Sequence, residues 1–197
     1  LSVLELMERP LKDRTMEAME QKQRIAEYAA TLIDENAIIF IDAGSTNLCL
    51  AKLLYLRKSL TIFTNSLSVS NILAESENQV HVCGGFLNAT TMSLVGFGAT
   101  SFLEKVCMDL AFLGSSGFHG HHGPTSIDFT DAEVKKTVIH STRKNIVLAH
   151  SAKARSTAVV EYTSWKDIAC LITDTGLRDK EEQSLSRYVK IHKVDES

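Results

Sequence analysis

The sequence predicts an α/β fold, a mainly parallel sheet with helices on both faces. Three observations predict it. Short apolar runs rich in branched residues recur along the chain, helix-period segments separate them, and the residues just after each run are small, polar or glycine. Such alternation builds βαβ units, whose ligands gather beyond the carboxyl ends of the strands. With 197 residues and 44% apolar content, the chain is long enough to bury a core as one domain of ordinary size.

Taken in order, the chain opens with a charge-rich stretch, Met7 to Gln23, carrying Lys12, Asp13, Arg14, Glu17, Glu20 and Lys22. It reads either as a solvated helix face or as a connector. Ile25, Tyr28, Ala29, Leu32 and Ile33 then follow the i, i+3, i+4, i+7, i+8 rule of a helix with one buried face. That face is expected to pack on the sheet, with self-association as the other use open to it. Strands are expected near residues 37–42, 60–63, 80–83, 109–113, 145–149 and 168–173, with helices near 46–57, 66–76, 97–106 and 131–142. The last run, Val189 to Val194, is expected at a sheet edge. There is no internal repeat and no low-complexity segment.

Composition narrows the function classes. No apolar run approaches the roughly 18 residues of a membrane span. A formal charge of −3, from 21 basic and 24 acidic residues, gives this piece no electrostatic means of holding nucleic acid by itself. Cys49, Cys83, Cys107 and Cys170 form no CxxC pair and sit mostly in apolar runs, the pattern of buried reduced thiols in a cytoplasmic protein. A chain opening on Leu1 rather than Met is expected to be a piece of a longer one.

The chemistry concentrates where strands end. Ile38 to Ile41 stops at Asp42 and turns into a helix over Ala43, Gly44, Ser45, Thr46 and Asn47. The unpaired amides of a helix start, its positive dipole end and two hydroxyls converge there, which makes a seat for a phosphate. Thr64-Asn65-Ser66, Gly84-Gly85, Gly114-Ser115-Ser116-Gly117 and Ser151-Ala152-Lys153 follow the later strands, and one crevice could collect them all. Each tract alone also reads as turn chemistry, since Asn and Ser cap helices and Gly takes positive φ. Lys153 would bring a point charge to the strand ends.

Weaker patterns resolve toward structure. His119, His121 and His122 lack a nearby cysteine or acid to complete a metal site and read as a glycine-rich loop, so no metal is expected. Gly96-x-Gly98 lacks the third glycine of a dinucleotide fingerprint and fits close helix packing. Ser115 and Ser116 are not in Gly-x-Ser-x-Gly order. Glu133, three residues after Thr130, fits a Thr-x-x-Glu capping box.

The strand-end tracts, taken in order together with Asp109 to Gly114, resemble the effector-binding domain of DeoR-type bacterial transcriptional regulators over about residues 20 to 176. The resemblance implies the fold shared by ribose-5-phosphate isomerase, sugar-phosphate deaminases and CoA-transferase-like proteins. It implies that residues 1–24 are a connector remnant and the start of the first helix, and that 25–197 form the effector-binding domain. An N-terminal winged helix-turn-helix that binds operator DNA would precede them. The implied effector is a phosphorylated sugar or sugar alcohol. Its implied ligand set is Asp42, Gly44, Ser45, Thr46, Asn47, Asn65, Ser66, Gly84, Gly85, Gly114, Ser115 and Lys153, with no catalytic residue and no cofactor. Self-association is expected, because operators with repeated half-sites favour paired readers. His150 stands where relatives commonly carry an acid.

The alternative is a sugar-phosphate isomerase or deaminase on the same fold, which needs a positioned carboxylate base. Where the similar isomerases have acids after the strand equivalent to Asp109–Leu113, this chain has Leu113 and Ser116. Lys135 falls nearer the isomerase base position, and Asp128 and Asp131 remain as carboxylates. A regulator domain is therefore the expected function.

Overall fold

A computed structural model describes residues 9–195. Two helices open it, α1 (Leu11–Thr15) and α2 (Met19–Thr31), followed by β1 (Ile38–Ile41), α3 (Ser45–Leu54), β2 (Thr61–Thr64), α4 (Leu67–Leu73) and β3 (Gln79–Val82). Next come β4 (Phe86–Asn88), β5 (Ser93–Val95), α5 (Phe97–Leu103), β6 (Met108–Leu113), β7 (Thr125–Ser126), α6 (Phe129–His140) and β8 (Thr142–Leu148). The chain closes with β9 (Val160–Glu161), β10 (Cys170–Asp174), α7 (Asp179–Leu185) and β11 (Lys190–Val194).

Seven strands form one parallel sheet in the order β11-β10-β8-β6-β1-β2-β3. The chain starts in the middle at β1, builds outward to β3, then returns to the other side of β1 through β6. The reversal opens a crevice at the carboxyl ends of β1 and β6, where open α/β sheets bind ligands. The final run takes the expected edge position as β11.

Alternating residues of the central strands feed two cores, as the period-two pleat requires. Ile39, Ile41, Ile62, Leu110, Phe112 and Ile146 pack with Ile25, Ala26 and Ala29 of α2, with Leu50 and Leu54 of α3, and with Val69 and Leu73 of α4. On the other face Phe40, Ala111, Leu113 and Val147 meet Ala99 and Leu103 of α5 and Ala132, Val134 and Val138 of α6. The apolar stripe of α2 is thus consumed by the sheet. Among the described residues no helix is long and apolar enough to cross a membrane.

Three sequence expectations need correction. The cap of α6 is Asp128, whose side chain accepts from the Asp131 amide at 2.9 Å, so Thr130 and Glu133 form no capping box. Glu133 instead pairs with Lys136 on the surface. Of the four free thiols, Cys49 and Cys83 are buried, Cys170 is half-buried and Cys107 is exposed. The charged opening stretch is neither wholly solvated nor a plain linker: Leu11 is buried, its amide donates to the Thr90 carbonyl at 3.0 Å, and Lys22 is 2% exposed. Met7 and Glu8, at the start of that stretch, lie outside the described residues.

Candidate functional site

Beyond the carboxyl ends of β1 and β6 lies a cleft with about 650 Å³ of empty space, part of it open to solvent. Its inner wall is the turn after Asp42. Gly44 takes φ 155° and ψ 157°, backbone that side-chain-bearing residues rarely adopt, and an added Cβ would meet nothing within 4 Å. Glycine is there for the bend rather than for space. The Leu48 amide is the first in α3 to find an intrahelical acceptor, the Gly44 carbonyl at 3.0 Å. The amides of Ser45, Thr46 and Asn47 have no acceptor among the described residues, and all three residues line the cleft. A ten-residue helix thus points its bare positive end into a cavity.

The floor is an ion cluster. Lys135 of α6 places its Nζ 2.7 Å from Asp42 Oδ2 and 2.8 Å from Asp131 Oδ2, and all three side chains are buried. Asp42 Oδ2 also accepts from the Gly114 amide at 2.9 Å, while Asp131 Oδ2 accepts from Ser126 Oγ at 2.7 Å. Burial works to lower the Lys135 pKa, yet Asp131 and then Asp42 outweigh it and hold the ammonium above the ordinary lysine value. Burial pushes the Asp42 carboxyl up, against the pull of Lys135.

The roof is α1, the start of α2 and the 3-10 turn Ser151–Arg155. They bring Arg14, Lys22 and Lys153 to the cleft, with Glu17 beside them as the one roof carboxylate among the lining residues. Lys22 Nζ donates to the Arg14 carbonyl, so the two helices are tied at the cleft itself. Between them the chain bends through Ala18 at φ 47°, a left-handed conformation for a residue with a side chain. The cations feel one another. Burial first, then Arg14 and Lys22, brings the Lys153 pKa down to about 8. Burial first, then Lys153 and Lys22, brings His150 down to about 4, so His150 is neutral at pH 7. At pH 7 the charge of this corner comes from Lys153 rather than from His150.

Residues 17–175 match the family described as the DeoR C terminal sensor domain. The chain belongs to that DeoR sensor-domain family. It is 28% identical over 185 residues to the HTH-type transcriptional regulator IolR of Bacillus subtilis, covering 93% of this chain and 74% of the relative. It is 32% identical over 166 residues to the HTH-type transcriptional regulator GolR of Listeria innocua, covering 84% and 65%. The glycerol-3-phosphate regulon repressor of Escherichia coli is 28% identical, covering 84% of this chain and 66% of the repressor. The fold is shared with solved structures. Ribose 5-phosphate isomerase A of Methanocaldococcus jannaschii aligns at TM-score 0.50 and 16% identity over 67% of this chain and 52% of its own. RipA of Yersinia pestis aligns at TM-score 0.54 and 12% identity over 93% and 51%.

Within this DeoR sensor domain, Gly44, Ser45, Thr46, Asn47, Gly114, Ser115 and Lys153 of the expected ligand set line the cleft together. The other five do not. Asp42 lies under the floor, fully buried with Lys135. Asn65 is buried, and its Oδ1 accepts from the Ala43 amide at 3.2 Å, bracing the turn from behind. Ser66 caps α4, accepting from the Val69 amide at 3.1 Å. Gly85 belongs to a packing contact: a Cβ on it, at φ 123°, would sit 2.4 Å from the Val95 carbonyl, and one on Gly98 would sit 3.0 Å from the Gly85 Cα, whereas a Cβ on Gly84 would meet nothing within 4 Å. Gly98 accordingly eases the approach of α5, as Gly96-x-Gly98 suggested.

Arg14, Glu17, Lys22, Asp131, Lys135 and His150 also line the cleft and were outside the expected ligand set. Two signals were available. Lys22 continues the Ile25, Ala26, Ala29 stripe backward at i−3, and Asp131 and Lys135 stand at i, i+4 on one helix face. Among the described residues no group of three or more His, Cys, Asp or Glu is placed to hold a metal, and His121 Nδ1 faces Glu161 at 3.5 Å.

Proposed function

We propose that this chain is the effector-sensing part of a DNA-binding transcriptional repressor of sugar metabolism, and that its effector is a phosphorylated sugar or sugar alcohol. A winged helix-turn-helix preceding these residues reads operator DNA, the assembled protein is a cytoplasmic homo-oligomer, and this domain binds no membrane and uses no cofactor. The observation that carries the reading is the meeting of bare α3 amides with Arg14, Lys22 and Lys153 around one cleft. That combination suits a phosphate dianion, which takes backbone N–H groups at a helix start and charge-assisted donors around it.

The ligand also reaches the segment that leads toward the DNA reader. Arg14 and Glu17 stand on or just after α1, so an anion that draws Arg14, Lys22 and Lys153 together changes how α1 docks. A difference of about 1–3 kcal/mol between two roof positions would alter operator affinity roughly 5–150-fold.

Catalysis is disfavoured by the state of the carboxylates. Asp42 and Asp131 are tied to Lys135, and Glu133 is 61% exposed at its side chain and paired with Lys136. A general base needs a carboxylate within reach of the substrate's proton and a pKa tuned to accept it. Incubation with aldose and ketose phosphates is expected to give no interconversion; turnover that depends on Asp128 or Glu133 would make the domain an enzyme. Thermal melts against phosphorylated and plain sugars test the ligand class. A bound ligand at 100 times its Kd adds about 2.7 kcal/mol and raises the midpoint by about 5–11 °C in a domain of this size. Equal shifts with plain sugars would remove the phosphate.

A further inference from the structure

We propose that Asp131 and Lys135 read the hydroxyl-bearing end of the ligand, so that the site separates a phosphorylated polyol from bare phosphate. The inference rests on the phosphate seat described above and adds the opposite end of the same cleft. The seat comes from α3, on one face of the sheet, and the reader from α6, on the other, so a ligand touching both lies across the strand ends.

The donor count supports it. The Lys135 ammonium has three N–H groups. Two are committed to Asp42 and Asp131, with the Tyr162 ring 5.8 Å away on its flank, and the residue still lines the cleft. Asp131 Oδ2 is filled by Ser126 and Lys135, while nothing among the described residues donates to its Oδ1. The pair therefore offers an acceptor and a donor side by side. A hydroxyl satisfies both, donating a hydrogen bond to the carboxylate and accepting one from the ammonium. A phosphate carries one to two negative charges where a sugar hydroxyl carries none, so Asp131 repels it. The same carboxylate sets the orientation of a sugar phosphate, whose charged end belongs at α3.

The test titrates the intact chain with inorganic phosphate, glycerol 3-phosphate, ribose 5-phosphate and glucose 6-phosphate by calorimetry, then repeats it with Asp131→Ala. That variant leaves Lys135 with Asp42, a charge-balanced pair. Asp131→Asn, which keeps the volume and the Ser126 contact, serves if alanine is not tolerated. The wild-type chain is expected to prefer at least one organic phosphate over inorganic phosphate by roughly tenfold or more, and the variant to lose that preference while binding inorganic phosphate equally or more tightly. A variant that keeps the preference overturns the reader, and so does one that loses both ligands equally, or a wild type with no preference. Absence of any phosphate binding by the wild type is a different result, and refutes the seat itself.

Discussion

The floor and the roof of the cleft are built on opposite electrostatic plans. In the floor, Asp42, Lys135 and Asp131 are buried and partnered at 2.7–2.8 Å, with Gly114 and Ser126 adding donors. In the roof, burial first and then the repulsion of Arg14 and Lys22 lower the Lys153 pKa, with Glu17 opposing them. The floor's charges are paired within the protein, although Asp42 Oδ1 is left without a partner among the described residues. The roof gathers Arg14, Lys22 and Lys153 around one cleft beside Glu17.

Substitutions can break that contrast. Ser45→Glu has the largest expected effect: Ser45 is buried at the cleft wall, so the new carboxylate occupies the anion's place and phosphate binding falls below detection by calorimetry. Its melting point should hold or rise, because an acid at a helix start is favourable. Lys135→Met comes next. It strands two buried carboxylates, and breaking such a cluster costs about 3–5 kcal/mol, read as a lower denaturant midpoint. An unchanged midpoint would mean the floor is not a structural unit.

Lys153→Ala does the reverse, leaving stability equal or higher while weakening phosphate binding about 10–150-fold, the worth of a charge-assisted hydrogen bond. Acidity sharpens the same point. With a pKa of about 8, Lys153 is charged at pH 7 and neutral by pH 9, whereas the unfolded chain keeps that proton to about pH 10.4. The free chain therefore gains stability from this group as pH rises from about 8 to 10, since the unfolded state then binds more protons. Phosphate, which needs the ammonium, is held about tenfold less tightly at pH 9 than at pH 7. Parallel slopes for stability and affinity would contradict the assignment to Lys153.

The seven strands of the parallel sheet and α2 to α6 were legible because alternation of branched apolar runs with 3.6-period segments has few other solutions, whereas α1, α7 and the short pairs β4-β5 and β7-β9 lie outside that alternation and were not expected. The cleft wall at Gly44–Asn47 was legible for a local reason, a strand that ends in a glycine-hydroxyl turn. The floor was hidden because Asp131 and Lys135 look like the solvated face of a helix, and only the sheet brings Asp42 between them. The roof was hidden because charge in Arg14–Lys22 suggested solvent, although Lys22 stands on the stripe that Ile25 and Ala29 continue inward. Asn65, Ser66, Gly84 and Gly85 stand outside the cleft lining for a physical reason: turn chemistry at strand ends recurs whether or not a ligand is near, and here Asn65 braces a turn, Ser66 caps α4 and Gly85 packs.

Amide hydrogen exchange with and without a tightly bound sugar phosphate tests the central claim most directly. Exchange is expected to slow in two separate stretches, residues 43–47 at the α3 start and residues 9–18 in the roof. Saturating ligand that leaves both stretches exchanging at their free rates would contradict the account.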